Sequence, residues 1–312
     1  MNLDGLDTRT TVQFDNSLAA DVVRINGKFS NGGEQVRVSK FLDQVRILAN
    51  LRLFAHVESE NNFPSGAGIA SSASAFAALA LAASRAAGLE ISPDREETSN
   101  LDKDFDQMAL SRLARRGSGS ACRSIPGGYV EWLAGTSDMD SYAISIAPPG
   151  HWDLVDCIAM VSTGQKNTGS SEGHALAGTS LLQASRVEDA PRRLEICRRA
   201  ILERDFTNLA EIIEEDSNLM HAVMMSSHPP LFYWLPATMA VILAVREARS
   251  QGLQACYTID AGPNVHVICT AAVADETSRM LTGIPGVREI RTARVGGPAR
   301  LVQNPSTRQD EI

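Results

Sequence analysis

The chain has 312 residues, 44% of them hydrophobic and 21% charged, a balance that fits a globular protein with a well-buried core and room for two domains. Its formal net charge of −8 excludes a general nucleic-acid binder, which needs a basic surface, and leaves room for a small anionic ligand in a local basic pocket. The five cysteines (Cys122, Cys157, Cys197, Cys256 and Cys269) are scattered, odd in number and without a CxxC pair, which predicts reduced thiols in a cytoplasmic protein.

The opening "MNLDGLDTRT" has neither a basic n-region nor an apolar h-region, so no signal peptide is expected. "TTVQF" alternates, with Thr10, Val12 and Phe14 on one face of a strand. "DVVRING" ends in Asn26-Gly27, two residues that tolerate positive φ and so mark a hairpin. Val38, Phe41, Leu42, Val45 and Leu48 recur at helical spacing. "RLFAHVESE" then sets Leu53, Ala55 and Val57 against His56 and Glu58, as a half-buried strand does. A long helix built of small residues follows "NNFPSGAG". Its stretch from Gly66 to Leu89 is the most membrane-like of the chain, yet it is rich in Ala and Ser and contains Arg85, which suits a buried helix better than a membrane span. Residues 94–106 are polar and read as an exposed loop or short helix. "MALSRLARRGSGSACRSIPGGYVEWLAG" reads as a helix, a Gly-Ser turn, a second short helix and a strand.

The pattern changes near Trp152. "DLVDCIAMV" is an apolar strand, and a helical stretch runs from Thr179 to about Met225, with Asp189-Ala190-Pro191 as a helix start inside it. "LPATMAVILAVREARSQG" is a further helix closed by Gly252. Two strands, "ACYTID" and "VHVICT", are joined by "AGPN"; a helix and the strand "VREIRTARV" complete the series. The order β, helices, β-β, α, β is that of a split βαβ, ferredoxin-like unit with extra helices in its first crossover.

Four stretches carry chemical interest. "PSGAGIASSASAF" places Gly and Ser where a helix begins; unpaired N–H groups and the helix dipole favour an anion there, although close packing against a neighbour would also select such small side chains. "RRGSGSACRS" sets Arg115, Arg116 and Arg123 around a turn. Arginines complementing a helix C-terminus would explain the first two, and Arg123, beyond the glycines, is a candidate for gripping a carboxylate or phosphate. "TIDAGPNVHV" puts Asp260 at a strand end, as a hairpin residue holding its own backbone or as an orienting carboxylate. "STGQKNTGSSEGH" offers Lys166, Ser170 and Ser171 as an anion-binding or plain surface loop. None of the six histidines shows metal-ligand spacing; they are read as structural, with His221 the one expected to be buried.

Taken together, "PSGAGIASSASAFAALA", "RRGSGSACRSIPGGYVEW" and "TIDAGPNVHV" resemble the signature segments of the mevalonate-pathway decarboxylases, a branch of the GHMP kinase superfamily, in order and at similar spacing from Met1 to about Val302. The resemblance implies an α+β GHMP kinase fold: a ribosomal-protein-S5-domain-2-like domain over residues 1–152 and a ferredoxin-like domain over 153–312. It implies ATP and Mg²⁺ as cofactors, with nucleotide phosphates held by the loop of Gly66, Ala67, Gly68, Ile69, Ala70, Ser71, Ser72 and Ser74, and Ser72 facing the magnesium ion. Arg123 would hold the substrate carboxylate with Ser120 beside it, Asp260 would face the tertiary hydroxyl, and Ser170 would lie on the substrate's phosphate side. The implied reaction is ATP-dependent decarboxylation of 5-diphosphomevalonate or 5-phosphomevalonate. The alternatives are a small-molecule kinase that stops after phosphorylation, or an inactive homologue. A homodimer acting on a small molecule, with no nucleic-acid or membrane partner, is expected. Two departures stand out. Relatives begin with a strand carrying Tyr-Trp-Gly-Lys, whereas this sequence starts at a point matching the part just after it. Some bacterial relatives also carry Arg where Ser171 stands here.

Overall fold

The structure, a computed structural model, describes residues 1–64, 71–89, 100–162, 164 and 170–302, with the backbone alone at 100–106, 170 and 171. The first sheet contains β1 (Thr8–Asp15), β2 (Val22–Ile25), β3 (Lys28–Phe29) and β4 (Phe54–Asn61) in the order β1-β4-β2-β3. The Asn26-Gly27 turn forms as the sequence predicts, with φ of 49° and 74°. Helices α1 (Gly33–Ala49), α2 (Ser71–Ala86) and α3 (Asn100–Gly117) share one core with this sheet, built from Val23, Phe41, Leu42, Val45, Val57, Phe76 and Leu110. Leu48, expected on the buried face of α1, is 53% exposed: the apolar stripe ends at Val45, and the helix stops at Asn50 in a left-handed cap.

The small side chains of α2 serve packing. Ala73, Ala77, Ala80, Ala83 and Ser84 are buried, and the helix lies against β1, α3 and the 3₁₀ helix Gly119–Ser124. At the end of α3, a Cβ on Gly117 would fall 2.1 Å from the Phe76 ring, so only glycine admits that approach.

A two-stranded sheet follows, β5 (Tyr129–Trp132) against β6 (Ala143–Ala147). β6, an "AISIA" strand after a run of turn residues, is an element the periodicity does not announce. The "PGG" preceding β5 has a packing reason: a Cβ on Gly127 would lie 2.5 Å from the nitrogen of Pro298.

The last sheet is the ferredoxin-like unit. β7 (Leu154–Met160), β8 (Ala255–Thr258), β9 (Val265–Thr270) and β10 (Glu289–Arg294) are antiparallel throughout, in the order β10-β7-β9-β8. Between β7 and β8 run α4 (Ser170–Ala177), α5 (Gln183–Glu188), α6 (Ala190–Glu203), α7 (Phe206–Met225) and α8 (Pro236–Ser250); α9 (Ala274–Thr282) joins β9 to β10. The helical stretch from Thr179 starts anew at Asp189-Ala190-Pro191, as expected, and breaks once more before α7. Asp189 precedes α6, and Arg204 turns left-handed (φ 57°) before Asp205 caps α7 by accepting the Asn208 N–H. One face of the sheet buries Val155, Cys157, Val267 and Cys269 with Val241, Val245 and Leu281. Its other face turns toward the N-terminal part of the chain, where Ile158 and Met160 pack on Phe63, Leu3 and Leu6. Tyr129 joins the same junction, donating its hydroxyl to the Trp152 carbonyl at 2.6 Å.

Candidate functional site

The candidate residues sit on three supports, two of them tied to the end of β7. The first is the chain just before the Gly-Ser loop. Phe63 packs on Ile158 and Met160 of β7, and the neighbouring Asn62 carbonyl accepts Arg291 Nη1 at 3.2 Å. Gly66, Ala67, Gly68, Ile69 and Ala70 themselves lie outside the described residues, as does Lys166. Beyond them, α2 starts at Ser71 with no acidic residue in its first turn, which leaves its N-terminus favourable to an anion. Ser72 Oγ sits 3.4 Å from Ser118 Oγ, and Ser74 Oγ 2.8 Å from Thr8 Oγ1, which also donates to Asn61 Oδ1 at 2.6 Å. Ser72 is thus at the mouth of the helix, whereas Ser74 is engaged with β1 and β4.

The second support is the 3₁₀ helix that starts at Gly119, next to Ser118. Ala121 and Cys122 are buried and anchor it; burial pushes the Cys122 thiol up to about 11, so it stays a neutral core residue. Ser111 Oγ donates to the Cys122 carbonyl at 3.1 Å and accepts the Ala143 N–H at 2.8 Å, tying α3, the 3₁₀ helix and β6 together. Arg123 leaves this anchored turn exposed, and Ser120 is half-buried beside it. The sequence set Arg115 and Arg116 beside Arg123 in one basic island, and the structure divides them. Arg112, Arg115 and Arg116 all converge on Asp138, with contacts of 2.8, 2.5 and 2.7 Å, and hydrogen bonds from Arg116 and Arg112 hold its carboxyl well below the usual range. Arg123 makes no ion pair among the described residues.

The third support is the turn between β8 and β9. Asp260 is exposed at its start, directly after Ile259, which is buried in the core of the sheet. The turn is fixed from several sides. Thr238 Oγ1 donates to the Pro263 carbonyl at 2.6 Å. Asn264, 1% exposed, accepts the N–H groups of Val161 and Ser162 at 2.8 and 3.0 Å and donates to the Ser162 carbonyl at 3.0 Å. The Asp260 turn is therefore bonded to the end of β7, the strand on whose last residues Phe63 packs. Ser170 opens α4 a few residues further on, its side chain and that of Ser171 outside the described set. Asn264 was within the quoted "DAGPN" but carried no signal of its own; a lone amide beside an apolar strand is the pattern that would have pointed to it.

The chain entering the Gly-Ser loop and the Asp260 turn are both tied to the end of β7, and the Arg123 turn lies against the start of α2 through Ser118 and Ser72. No hydrogen bond or ion pair joins Arg123 to Asp260 among the described residues. Next to this region a groove of about 740 Å³ runs along β1, lined by Thr8, Thr10, Ser74, Ala77, Ser124 and residues 296–302. β1 is an edge strand of its sheet.

Comparison with known proteins gives the family of the chain. Residues 1–143 match the diphosphomevalonate decarboxylase-like N-terminal domain, and residues 157–308 the mevalonate 5-diphosphate decarboxylase C-terminal domain. The chain is 36% identical to the diphosphomevalonate decarboxylase of Candida albicans over 97% of its own length and 86% of the relative's. It is also 36% identical to the human one, over 91% and 72%. Among solved structures, the Staphylococcus aureus mevalonate diphosphate decarboxylase superposes with a TM-score of 0.85 at 33% identity, covering 96% of this chain and 86% of that one. A complex of MDDEF with MVAPP, AMPPCP and magnesium superposes with a TM-score of 0.82 at 36% identity, covering 94% and 86%. The chain belongs to the diphosphomevalonate decarboxylase family, with its GHMP kinase fold.

Proposed function

We propose that the chain catalyses the ATP-dependent decarboxylation of 5-diphosphomevalonate to isopentenyl diphosphate, with Mg²⁺. The observation that carries this reading is the bonding of the Asp260 turn to the end of β7, where the entry to the Gly-Ser loop also packs. In this reading a carboxylate on a rigid strand end and an anion-favouring helix start serve the same substrate and nucleotide. Relatives solved with MVAPP, AMPPCP and magnesium support the same assignment.

The residues fit that chemistry. The start of α2 has no acid in its first turn, and the hydroxyls of Ser72 and Ser118 stand 3.4 Å apart beside it, so an anionic phosphate chain meets donors and no repulsion. Among the described residues, no three His, Cys, Asp or Glu side chains converge as a cation site. Magnesium would be held through the nucleotide phosphates with Ser72 as a hydroxyl ligand. When bound, Mg-ATP supplies the phosphoryl group that makes the tertiary C3 oxygen of the substrate a leaving group. Asp260 orients that hydroxyl and takes its proton. Arg123 fixes the carboxylate by paired hydrogen bonds, so that its C–C bond lies parallel to the breaking C3–O bond. Departure of phosphate draws electrons from that C–C bond; CO2 leaves and an alkene forms. Ser120 supports the carboxylate end and Ser170 the phosphate end of the substrate. We divide the chain into a nucleotide-binding part, 1–152, and a ferredoxin-like part, 153–312, a division supported by the change of sheet at β7.

The working form we propose is a cytoplasmic homodimer. The compartment rests on the five scattered cysteines without a CxxC pair; the dimer rests on the family resemblance, and sedimentation velocity tests it. The activity is tested by following ADP and CO2 together with 5-diphosphomevalonate and with 5-phosphomevalonate. Equal yields of ADP and CO2 from the diphosphate are expected. ADP without CO2 would make the chain a kinase, and preference for the monophosphate would reassign the substrate.

A further inference from the structure

β8 is an edge strand, and its outward backbone groups would be left open without a neighbour. Side chains supply the neighbour. Arg249 Nη1 donates to the Ala255 carbonyl at 3.3 Å, and Glu214 Oε1 accepts the Tyr257 N–H at 3.2 Å. At Ile259 both groups are taken: Ser217 Oγ accepts its N–H at 3.0 Å, and His221 Nε2 donates to its carbonyl at 3.1 Å. A carbonyl only accepts, so the imidazole carries its proton on Nε2 and leaves Nδ1 unprotonated. Glu214, Ser217 and His221 follow one another at spacings of three and four along α7 and so share one face of it.

The grip is hardest at its last point. Ser217 is 4% and His221 1% exposed. The imidazole is enclosed by the rings of Trp234 at 4.9 Å and Tyr233 at 6.0 Å, and burial pushes its pKa down to about 4. Ile259 is clamped by backbone and side chain alike, its own side chain lying in the core. The next residue is Asp260. We propose that Ser217 and His221 are positioning residues for the reaction: they hold the backbone of Ile259 so that the Asp260 carboxylate leaves the strand in one direction. This assignment rests on the role given to Asp260 under the proposed function. It explains why α7, with His221 placed 38 positions before Ile259, sets a buried histidine next to that acid. Loss of the grip lets the Asp260 carboxylate swing by about an ångström, which costs up to about 100-fold in turnover.

The test compares S217A, H221Q, H221L and D260N in the full chain, measuring kcat and KM for ATP and for 5-diphosphomevalonate below each variant's melting temperature. H221L removes the donor, and kcat is expected to fall about 10- to 100-fold with KM for ATP within about twofold of wild type. H221Q keeps an N–H at the same reach and is expected to restore kcat to within about threefold of wild type; S217A loses about three- to tenfold. If H221L does not fold, S217A and H221Q carry the test. Full turnover in S217A and H221L with D260N inactive overturns this proposal and leaves the reading of Asp260 intact. Equal losses of kcat in H221Q and H221L also overturn it. Turnover in D260N overturns the role of Asp260 and this proposal with it.

Discussion

The Asn264 side chain meets the backbone of Ser162 in both directions, accepting its N–H and donating to its carbonyl, each at 3.0 Å. Because the same amide oxygen also takes the Val161 N–H, one buried residue closes the end of β7 and opens β9. Asn264→Ala leaves two N–H groups without an acceptor, and a destabilisation of about 3 kcal/mol is expected. Asn264→Asp keeps the acceptor but turns an oxygen toward the Ser162 carbonyl, and so should rescue little of that loss. Urea midpoints of the two variants check this; wild-type stability in Asn264→Asp would show that the bond to the Ser162 carbonyl contributes nothing.

His221 makes stability depend on pH in a defined direction. In the unfolded chain its imidazole takes up a proton below about pH 6.5, whereas burial holds the folded group down to about 4. Between these values the unfolded state binds more protons, so stability falls as pH drops through that window and is unaffected above it. The full loss by pH 4 is about 3 kcal/mol. The hydrogen bond to the Ile259 carbonyl and, less strongly, the charge of Asp260 oppose the effect of burial, while Tyr233 and Trp234 pack around the ring without a charge in this range. His221→Gln should flatten this part of the stability profile in chemical denaturation between pH 4 and 7. An unchanged slope in that variant would assign the dependence to other groups.

Much of this architecture is written in local pattern. Asn26-Gly27, the alternation of Ala55 and Val57, and the continuous apolar run of β7 each specify their element through steric rules that act within a few residues. The candidate site is legible to the extent that its chemistry needs particular residue types at turns, as with Arg123 and Asp260. What holds those residues is not legible. Ser217 and His221 reach Ile259 across 42 and 38 positions of sequence, and Asn264 reaches Val161 across 103; no local period encodes such partners. Composition likewise shows three arginines near the Gly-Ser turn but not Asp138, which pairs with Arg112, Arg115 and Arg116 from more than 20 residues away. Leu48 misleads for the opposite reason: it keeps the helical period one turn beyond the point where anything covers α1.

Gly117 offers a test of packing at the base of the Arg123 turn. An added methyl would sit 2.1 to 2.8 Å from three atoms of the Phe76 ring, which itself packs edge-on against Phe41 at 5.6 Å. The ring cannot withdraw without opening the core, so Gly117→Ala should cost about 2 kcal/mol. Phe76→Leu trims the obstructing edge, and the double variant should recover about 1 kcal/mol beyond additivity. Thermal or urea unfolding of the four chains decides it, and strict additivity would mean that the two residues do not collide.

Asp260 and Arg123 are both exposed, so their removal should separate chemistry from folding. Asp260→Asn is expected to lower kcat by about 10²- to 10⁴-fold, the ordinary worth of a positioned acid or base, with an unchanged melting temperature. Arg123→Gln acts at the other end of the substrate. It should raise KM for 5-diphosphomevalonate by about 10-fold or more, the worth of a charge-assisted pair, while nucleotide affinity stays as in wild type. It should also uncouple the two halves of the reaction. Phosphorylation at C3 needs only the hydroxyl in place, whereas loss of CO2 needs the carboxylate held in line, so the ratio of ADP to CO2 should rise above one. A ratio that stays at one while both KM values worsen together would place Arg123 on the nucleotide rather than on the carboxylate.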